Sequence, residues 1–491
     1  MQFQLGRETI DGERSLAILK ISLVAFVEGF STLAVEVIAI RLAIPVVGSS
    51  MTLTGVMLGV VLFALSAGYW RGGELSSRWD ERRIRSAIAR NLFIAGAIYA
   101  ALSFPAEAVL LEKALDAGLS LALGIGVTAI ALFVLPVYLA SQTVPLLAEL
   151  TNTEGKAGKA SGKILFFSTL GSVAGGIVTP IYLFPYLGVR VSTYVVCALL
   201  AAASGLIALG RIGLRAGISA AALVAAVILA RWLSPQEPAR FSFDSPHQSI
   251  RVVDRKSTDG RVERVMFLNG GLASGIYTDN GETSFTYVRA VDQALAATRA
   301  ESVLAIGAAG FTFPRDASAL PFVKRVDAVD VDASELRIAE RYFLIRPLPS
   351  GVRFYPLSAR DALRQFRKEK RRYGFTLLDA YSGKGIPDEL LTAEFLSEVQ
   401  AVSERTAANF IFDREADSDF AHNLLASFRK VYGVAWIKDV NPGDSDLTNY
   451  LVTNWDVGGS AAWKGTGEIY TDDRNSADRD HVKMMWGGES N

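Results

Sequence analysis

Three short motifs in the second half of the chain carry side chains that could do chemistry. Residues 306–310 read IGAAG, residues 330–332 read DVD, and Asp379 precedes the sequence AYSG. Each motif follows or ends a run of apolar residues typical of a buried strand. Small residues after a strand let a ligand approach the backbone, and the helix that follows presents unpaired N–H groups there. An acidic residue about twenty positions further on is placed to accept ribose hydroxyls. The pattern therefore predicts a nucleoside site.

Each motif also has a structural interpretation. Glycines after a strand serve tight turns whether or not a ligand binds. Asp330 ends its strand and is the better ribose candidate, whereas Asp332 could cap the helix that opens at Ala333. Asp379 could close an Asx turn. If it faces the ligand crevice, it could instead act as a general base toward an amine or anchor a cation.

These motifs lie where predicted strands alternate with predicted helices, a pattern that favours a doubly wound, Rossmann-like parallel sheet with ligands beyond the carboxyl ends of its strands. Before it, alternating apolar residues flank the turn Asn269-Gly270 and predict a small antiparallel β unit. Strands are predicted at 303–306, 326–331, 353–355, 375–379, 409–413, 433–438 and 448–453, and helices at 283–299, 333–343, 359–370, 392–403 and 417–430.

The first half of the chain is different, because it contains seven apolar stretches long enough to cross about 30 Å of hydrocarbon. They lie at 16–46, 51–70, 87–104, 118–139, 164–186, 191–210 and 213–233. The first lacks a small-residue cleavage site and is interpreted as a span rather than a signal peptide. Small residues favour close helix packing, and four prolines predict kinked or broken helices, namely Pro136, Pro145, Pro180 and Pro185.

The predicted architecture is therefore multi-domain: an N-terminal α-helical transmembrane bundle followed by an α/β Rossmann-like domain that a small β-hairpin unit precedes. The predicted boundaries are 1–233 for the bundle, 234–246 for a linker, 247–282 for the β unit, 283–457 for the Rossmann-like domain and 458–491 for a disordered tail.

Basic residues cluster in alternate loops of the bundle, which by the positive-inside rule face the cytoplasm together with the N-terminus. Seven full crossings would then leave the second half outside the cell. Either one stretch is re-entrant or interfacial, or the second half lies outside, and the first interpretation is favoured. The expected location is the inner (cell) membrane, multi-pass, with the soluble domain on the cytoplasmic side.

Three ionisable residues, Glu28, Glu36 and Arg41, lie within the first apolar stretch. Charges at membrane depth are costly and usually face a partner or a wet cavity. Glu28 and Glu36 share a helix face because they are eight residues apart. They could form an internal ion pair that locks the bundle, line a path for a cationic amine, or, for Glu28 and Arg41, reach the interfaces.

Composition excludes several classes of function. Lys+Arg and Asp+Glu both number 50, so net charge gives no indication of nucleic-acid binding. Cys197 is the only cysteine, which excludes intrachain disulfides and Cys-rich metal sites. The three histidines are too scattered for a His-based metal centre. The expected partners are a lipid bilayer and a small-molecule amine or related acceptor, without nucleic acid, and a homodimer is an open possibility.

Taken together, the motifs of the second half resemble the spermidine synthase (polyamine aminopropyltransferase) family, and the whole chain resembles its membrane-fused branch. The resemblance rests on the segments PHQSI (246–250), FLNG (267–270), ETSFTY (282–287), IGAAG (306–310), VDVD (329–332), LDAYSG (378–383), IP (386–387) and LTAEF (391–395). It implies the class I S-adenosylmethionine-methyltransferase-like fold. It also implies transfer of an aminopropyl group from decarboxylated S-adenosylmethionine to an amine such as putrescine, with release of methylthioadenosine and without a metal.

The resemblance assigns roles to individual residues. Asp379 would be the catalytic residue that deprotonates or orients the amine. The co-substrate, decarboxylated S-adenosylmethionine or S-adenosylmethionine, would contact Gln248, Gly307, Asp330, Asp332 and Ser358. The acceptor would contact Tyr287, Tyr381 and Ser382.

The sequence departs from the family where amines are held. Ala309-Gly310 stand in place of an Asp, Ser358 replaces the Asp toward adenine, and Ser382 replaces a second acidic residue. The pair after Tyr287 reads Val288-Arg289, and Asn441 takes the place of a late Tyr. The acceptor is therefore left open. Two alternatives stay beside the transferase: another S-adenosylmethionine-dependent enzyme, a methyltransferase or a lyase, or a non-catalytic nucleoside- or amine-sensing module coupled to the bundle.

Overall fold

The computed structural model describes residues 2–47, 51–102, 106–152, 155–208, 239–257, 259–344, 346–441, 443 and 445–486. The chain divides into two compact units. The first comprises Met1–Ala43 and Met51–Gln236, and the second Ile44–Ser50 and Glu237–Asn491.

The described part of the first unit is helical. Its helices are α1 Gln2–Val47, α2 Met51–Ser76, α3 Glu81–Leu102, α4 Ala106–Asp116, α5 Leu121–Ala129, α6 Leu135–Ser141, α7 Thr143–Thr151, α8 Ala157–Val178 and α9 Phe184–Ile207. Single π-helical turns, Ile130–Val134 and Thr179–Leu183, join α5 to α6 and α8 to α9. Pro136 and Pro185 follow these turns. Proline has no N–H to donate, and its ring clashes with the preceding turn, so both prolines disturb the hydrogen bonds of the helix.

Four helical stretches in the described residues are long and apolar enough to cross a membrane: Ala17–Val47, Met51–Ser76, Leu121–Thr151 and Ala157–Ile207. The predicted stretch 87–104 falls largely in α3, which is not among them and carries Arg82, Arg83, Arg85 and Arg90. The predicted stretch 164–186 and residues 191–207 of the next lie in one stretch that bends at Gly188, whose φ is 75°. The stretch 213–233 lies outside the described residues.

Glycines bring α1 and α8 into backbone contact. A Cβ added at Gly171 would lie 2.0 Å from the carbonyl oxygen of Phe26, and one at Gly175 would lie 2.3 Å from that of Phe30. Only glycine permits such an approach. Next to this contact, the buried Glu28 accepts hydrogen bonds from Ser168 (2.9 Å) and Thr32 (3.3 Å).

The second unit begins with a four-stranded antiparallel sheet in the order β1–β2–β3–β4, comprising Ala239–Asp244, Ser249–Lys256, Val262–Leu268 and Gly271–Tyr277. The turn between β3 and β4 uses Asn269 and Gly270 at φ 47° and 79°. The prediction of a linker over 234–246 is wrong for Ala239–Asp244, which pairs with β2. Phe241 and Phe243 pack on the apolar side of this sheet, an alternation too short to stand out beside a Pro-rich segment.

The larger sheet has eight strands in the order β12–β10–β11–β9–β8–β5–β6–β7. The strands β7, β6, β5, β8 and β9 are parallel, and β11 runs antiparallel to β9. Their bounds are β5 Ser302–Ile306, β6 Arg325–Asp330, β7 Val352–Pro356, β8 Phe375–Leu378, β9 Thr406–Asp413, β10 Trp436–Asp439, β11 Leu447–Thr453 and β12 Ala461–Ala462. The order reverses between β5 and β8, which is where ligands bind in doubly wound sheets.

Helices pack against this sheet over two apolar clusters. They are α10 Thr286–Thr298, α11 Thr312–Ser318, α12 Ser334–Ala339, α13 Ala359–Lys368, α14 Ala393–Gln400, α15 Asp419–Tyr432 and α16 Ala477–Trp486, with a 3₁₀ turn at Asp388–Leu390.

The tail predicted to be disordered from residue 458 is ordered through residue 486. Tyr470 is 1 % exposed, its N–H donates to Ser427, and its hydroxyl donates to Asp480. Ala477 joins the same apolar cluster as Phe428. The sequence shows no periodic apolar pattern here because these side chains insert singly against α15 rather than along one face.

Candidate functional site

A cavity of about 1200 Å³ lies entirely within residues 247–485. Its lining includes Gly307 after β5, Asp330 at the end of β6, Ser358 after β7, Asp379 after β8 and Asn409 in β9. Parallel strands present their carboxyl ends at one edge, so five separate segments meet there. The cavity is large enough for two small molecules at once, since ligand pockets commonly measure about 300–1,000 Å³.

The loop after β5 approaches the loop after β8 through Gly307. Its φ is 93°, and a Cβ there would lie 2.0 Å from the carbonyl oxygen of Asp379. Its N–H donates to the carbonyl of Val329 at 2.9 Å. Ala309 and Phe311 also have positive φ values, 42° and 57°, so the whole loop is tightly wound. The glycine therefore has a structural role and also leaves space for a ligand.

Asp330 faces the cavity beside this loop. One carboxylate oxygen accepts from the N–H of Ala308 at 3.0 Å, and the other accepts from the N–H of Asp332 at 3.2 Å. Burial raises the pKa of Asp330, and the hydrogen bonds from Ala308 and Glu335 partly oppose that rise. Each carboxylate oxygen retains acceptor capacity, so Asp330 is placed to bind hydroxyl groups.

Asp332, predicted as a nucleoside ligand, does not line the cavity. It is 2 % exposed, and it accepts from the N–H and the hydroxyl of Ser334 at 2.9 and 2.6 Å. Its other oxygen accepts from the hydroxyl of Ser245. Its carboxylate caps the start of α12, the structural interpretation that the sequence left open.

Gln248 and Ser358 both line the cavity. Gln248 is 6 % exposed, and its amide donates to the buried carboxyl of Glu335. Ser358 is the N-cap of α13, where its hydroxyl accepts from the N–H of Asp361 at 3.2 Å. Their predicted contacts with a co-substrate stay predictions.

Asp379 is held in the cavity by two neutral donors. The hydroxyl of Tyr287 donates to one carboxylate oxygen at 2.8 Å, and the amide of Asn409 donates to the other at 2.8 Å. Burial raises the pKa of Asp379 to about 6, while the hydrogen bonds from Asn409 and Tyr287 act to lower it. A carboxylate with a pKa near the working pH is suited to take a proton from an amine.

Two further predicted residues, Tyr381 and Ser382, lie beside this carboxylate. The hydroxyl of Tyr381 donates to the carbonyl of Asn409 at 3.0 Å and accepts from the N–H of Ile411 at 3.0 Å. Ser382 accepts from the amide of Asn269 at 3.1 Å. Tyr381 therefore orients the strand that carries Asn409, and Ser382 ties the loop after β8 to the β3–β4 turn.

Sequence reasoning missed three residues of the site. Asn409 and Asn449 form an amide pair on neighbouring strands at 2.9 Å, and both line the cavity. An asparagine within the apolar strand Thr406–Asp413 was a usable signal, because polar groups in buried strands need partners. Glu335 also lines the cavity, although in sequence it resembles an ordinary acidic residue in the first turn of a helix.

Several cations border the cavity, although Arg289, noted from the sequence, is exposed and is not one of them. Arg360 makes several hydrogen bonds to acidic side chains: its guanidinium donates to Asp472 at 2.9 and 2.6 Å and to Glu398 at 3.1 Å. Arg364, Arg255, Lys256 and Lys384 also contribute to the lining. In the described residues no group of three or more His, Cys, Asp or Glu side chains is arranged to hold a metal ion.

No family model matches the chain. Over 133 residues it is 30% identical to a polyamine aminopropyltransferase of Vibrio vulnificus, a match that covers 27% of this chain and 44% of that protein. The chain therefore matches less than half the length of that relative.

Solved structures of spermidine synthases are similar to part of the chain, with low TM-scores. A probable spermidine synthase from Corynebacterium glutamicum has 18% identity and a TM-score of 0.36, covering 45% of this chain and 80% of that one. Spermidine synthase from Thermotoga maritima has 15% identity and a TM-score of 0.35, covering 44% and 73%. Because both TM-scores are low, the description of the fold rests on the strand order itself.

Proposed function

We propose that the chain is a membrane-anchored transferase that moves the aminopropyl-type chain of a sulfonium nucleoside to an amine and releases methylthioadenosine. The observation that carries the proposal is the position of Asp379. It lies in the same cavity as Asp330, and burial raises its pKa to about 6. A base and a ribose-type acceptor in one cavity suit a reaction between an amine and a nucleoside.

The nucleoside side of the cavity supports this assignment. Asp330 offers carboxylate oxygens to hydroxyls, and the loop at Gly307 carries no side chain that would fill the space beside it. Gln248 and Ser358 add polar groups on the same wall. The partial sequence match to a protein named polyamine aminopropyltransferase agrees with this choice of ligand.

The proposed reaction requires only a few contributions from the protein. The amine nitrogen attacks the methylene carbon bound to the sulfonium sulfur, the C–S bond breaks, and its electron pair stays on sulfur as the neutral thioether of methylthioadenosine. The nitrogen gives its proton to the carboxylate of Asp379, which later releases it to water. Positioning and proton removal are therefore the contributions required.

The acceptor side is richer in amides than in carboxylates. Asn409, Asn449 and Asn441 line it, and Asp379 is the carboxylate that Asn409 contacts. A diamine carries two positive charges, and the second ammonium is costly to bury without a counterion. We therefore expect acceptors with one amine and a neutral polar or apolar remainder to be preferred over putrescine.

Membrane anchoring is proposed from the four long apolar helices of the first unit. Their length matches the thickness of a bilayer core, and they carry few charges. The inner membrane, with the second unit on the cytoplasmic side, is the location that fits a cytosolic nucleoside.

The decisive experiment incubates the purified full-length protein with S-adenosylmethionine or its decarboxylated form and with a panel of monoamines and diamines. Mass spectrometry then identifies every nucleoside product. Methylthioadenosine formed together with an alkylated amine, and lost in Asp379→Asn, supports the proposal. Adenosylhomocysteine would indicate a methyltransferase, methylthioadenosine without amine alkylation a lyase, and binding without product a sensing module. Each of these three results overturns it.

A further inference from the structure

Asp330 has a second carboxyl group beside it that the nucleoside assignment above does not use. Glu335 lies in the first turn of α12, is 0 % exposed, and contributes to the cavity lining. The amide of Gln248 donates to its Oε1. Its Oε2 has no hydrogen-bond donor among the described residues, which is unusual for a buried oxygen.

The missing partner is explained if Glu335 carries a proton. Glu335 and Asp330 are within hydrogen-bonding contact, so a protonated Glu335 can donate to the Asp330 carboxylate. Two buried carboxylates in contact cannot both be ionised without a large repulsion. No salt bridge joins either carboxyl to a basic side chain in the part of the chain that the structure describes.

We propose that Asp330 and Glu335 share one proton, and that this proton holds the Asp330 carboxylate in position to bind the two hydroxyls of the nucleoside ribose. In this arrangement the oxygens of the Asp330 carboxylate accept from the ribose hydroxyls. The protonated Glu335 is 0 % exposed, so it is a positioning residue that acts on the ligand through Asp330. The inference rests on the proposed function, because it assumes that a nucleoside occupies this side of the cavity.

The pair makes nucleoside affinity depend on pH in a defined direction. Burial and the neighbouring Asp330 raise the pKa of Glu335 well above its usual value. Glu335 therefore keeps its proton to a higher pH than an exposed glutamate does, and it loses the proton as the pH rises further. Its loss leaves two adjacent negative charges, so affinity falls on the alkaline side. The charged groups facing Glu335 are Asp330 at the end of β6 and Asp332 in the following turn, beside the neutral Gln248.

The test measures binding of methylthioadenosine and its 2′-deoxy analogue to the full-length protein by calorimetry, between about pH 6 and pH 9.5, a range chosen to include the titration of a strongly shifted carboxyl. For the wild type we expect affinity to fall about tenfold or more toward high pH, and the ribose form to bind about tenfold tighter than the deoxy form. A wild-type affinity that is flat with pH overturns the shared proton.

Two variants separate a ligand-binding role from a structural one. Glu335→Gln keeps a donor toward Asp330 at every pH, so it should bind methylthioadenosine near the wild-type level at pH 7 and lose the alkaline decline. Glu335→Leu removes the pair and should weaken binding about tenfold or more and erase the preference for ribose. A Glu335→Gln variant with the wild-type pH slope contradicts the proposal, even if Glu335→Leu fails to fold.

His247 lies next to Gln248 and also borders the cavity, and histidine is a side chain whose charge changes near neutral pH. A His247→Gln variant is therefore the matched control, and it should keep the alkaline decline. If the wild type binds no nucleoside at any pH, the proposed function itself fails. If it binds and Glu335 has no effect, the carboxyl pair alone fails.

Discussion

At the scale of single residues, the pKa of Asp379 is set by two opposing effects. Burial raises its pKa to about 6, and the donors Tyr287 and Asn409 keep it from rising further. The carboxylate is therefore mostly ionised at neutral pH but close enough to its pKa to exchange a proton. Neither donor carries a charge, so the site can bind a cation without competition from a basic partner.

The first prediction concerns the acid limb of the activity profile. A base must be deprotonated to act, so kcat/KM should fall about tenfold per pH unit below about pH 6, which reports the pKa of Asp379 in the free protein. Tyr287→Phe removes a donor to the carboxylate, so the limb should move to higher pH by about half a unit to one unit. The measurement is kcat/KM for methylthioadenosine release across pH.

Tyr381→Phe serves as the control, because its hydroxyl bonds the backbone of Asn409 and Ile411 rather than the carboxylate of Asp379. Its acid limb should stay near that of the wild type, whatever happens to the overall rate. A limb that does not move in Tyr287→Phe contradicts the assignment of Asp379 as the base.

At the scale of secondary-structure elements, two loops carry the site. The loop after β5 and the loop after β8 meet at Gly307, where their backbones are too close for any side chain. The loop after β8 is in turn joined to the β3–β4 turn through the Asn269–Ser382 hydrogen bond. The position of Asp379 thus depends on segments far apart in sequence.

The second prediction tests the contact between these two loops. Gly307→Ala places a Cβ about 2.0 Å from the Asp379 carbonyl and imposes a φ of 93° on an L residue. We expect at least about 2 kcal/mol of lost stability and a loss of nucleoside binding, from strain and overpacking together. Gly351→Ala is the matched control, since a Cβ there meets nothing within 4 Å. Equal melting temperatures for the two variants would refute this reading of the contact.

The ordered tail is the second feature at this scale, because it braces the loop after β8. Asn475 donates to the carbonyl of Asp388 at 2.8 Å, and His481 packs beside Gly385. Asp472 accepts two hydrogen bonds from Arg360, which also donates to the carbonyl of Glu389 at 2.9 Å. Met485 reaches the cavity wall itself.

The third prediction follows from that bracing. Asp472→Ala removes a bidentate partner of Arg360, so the loop that contains Asp388–Leu390 should open more often. We expect its amide hydrogens to exchange about five- to tenfold faster, and the KM for the nucleoside to rise. Glu468→Ala is the control, because its pairing with Arg474 is largely exposed and worth little. If the amide hydrogens of this loop exchange at the wild-type rate in Asp472→Ala, the tail does not stabilise the loop.

At the scale of the whole molecule, the chain combines two units of different composition. The first unit carries four helices suited to a bilayer, and the second carries the cavity. Within the first unit, Glu28 is satisfied by Ser168 and Thr32 instead of by an ion pair in the described residues. Its hydrogen bond from Ser168 joins α1 to α8.

The fourth prediction tests whether the stability of the helical bundle and the ligand affinity of the cavity are independent. Gly171→Leu forces α1 and α8 apart and should destabilise the helical bundle by about 1–3 kcal/mol. Affinity for methylthioadenosine should stay unchanged, because the cavity lies wholly within residues 247–485. Gly59→Leu is the control, since nothing lies within 4 Å of a Cβ at Gly59. Thermal unfolding in detergent and calorimetry on the same samples give both readouts, and a loss of affinity in Gly171→Leu alone would show that the units are coupled.

The fifth prediction concerns location. If the four apolar helices span a bilayer, the protein should remain in the membrane pellet after an alkaline carbonate wash, as integral proteins do. Protease added outside sealed, right-side-out vesicles should leave the second unit intact if it faces the cytoplasm. Release by carbonate, or digestion of the second unit from outside, would contradict the anchoring or the orientation respectively.

Much of this protein follows from local sequence patterns. The long apolar stretches, the alternation of strands and helices, the turn at Asn269-Gly270 and the placement of Gly307, Asp330 and Asp379 at strand ends all follow from side-chain periodicity and turn chemistry. These signals are local, because hydrophobic spacing and backbone preference act over a few residues.

Only the tertiary structure decided which of those residues work together. Asn409 reaches Asp379 across neighbouring strands, Glu335 meets Asp330 and Gln248 in one buried cluster, and Asp332 turns inward to cap α12. The segment after residue 458 packs against α15, although its apolar residues show no regular spacing in the sequence. Apart from the local cap at Asp332, these contacts depend on strand order and on partners distant in sequence, such as Gln248 and Glu335, which are 87 residues apart, and no local pattern encodes them.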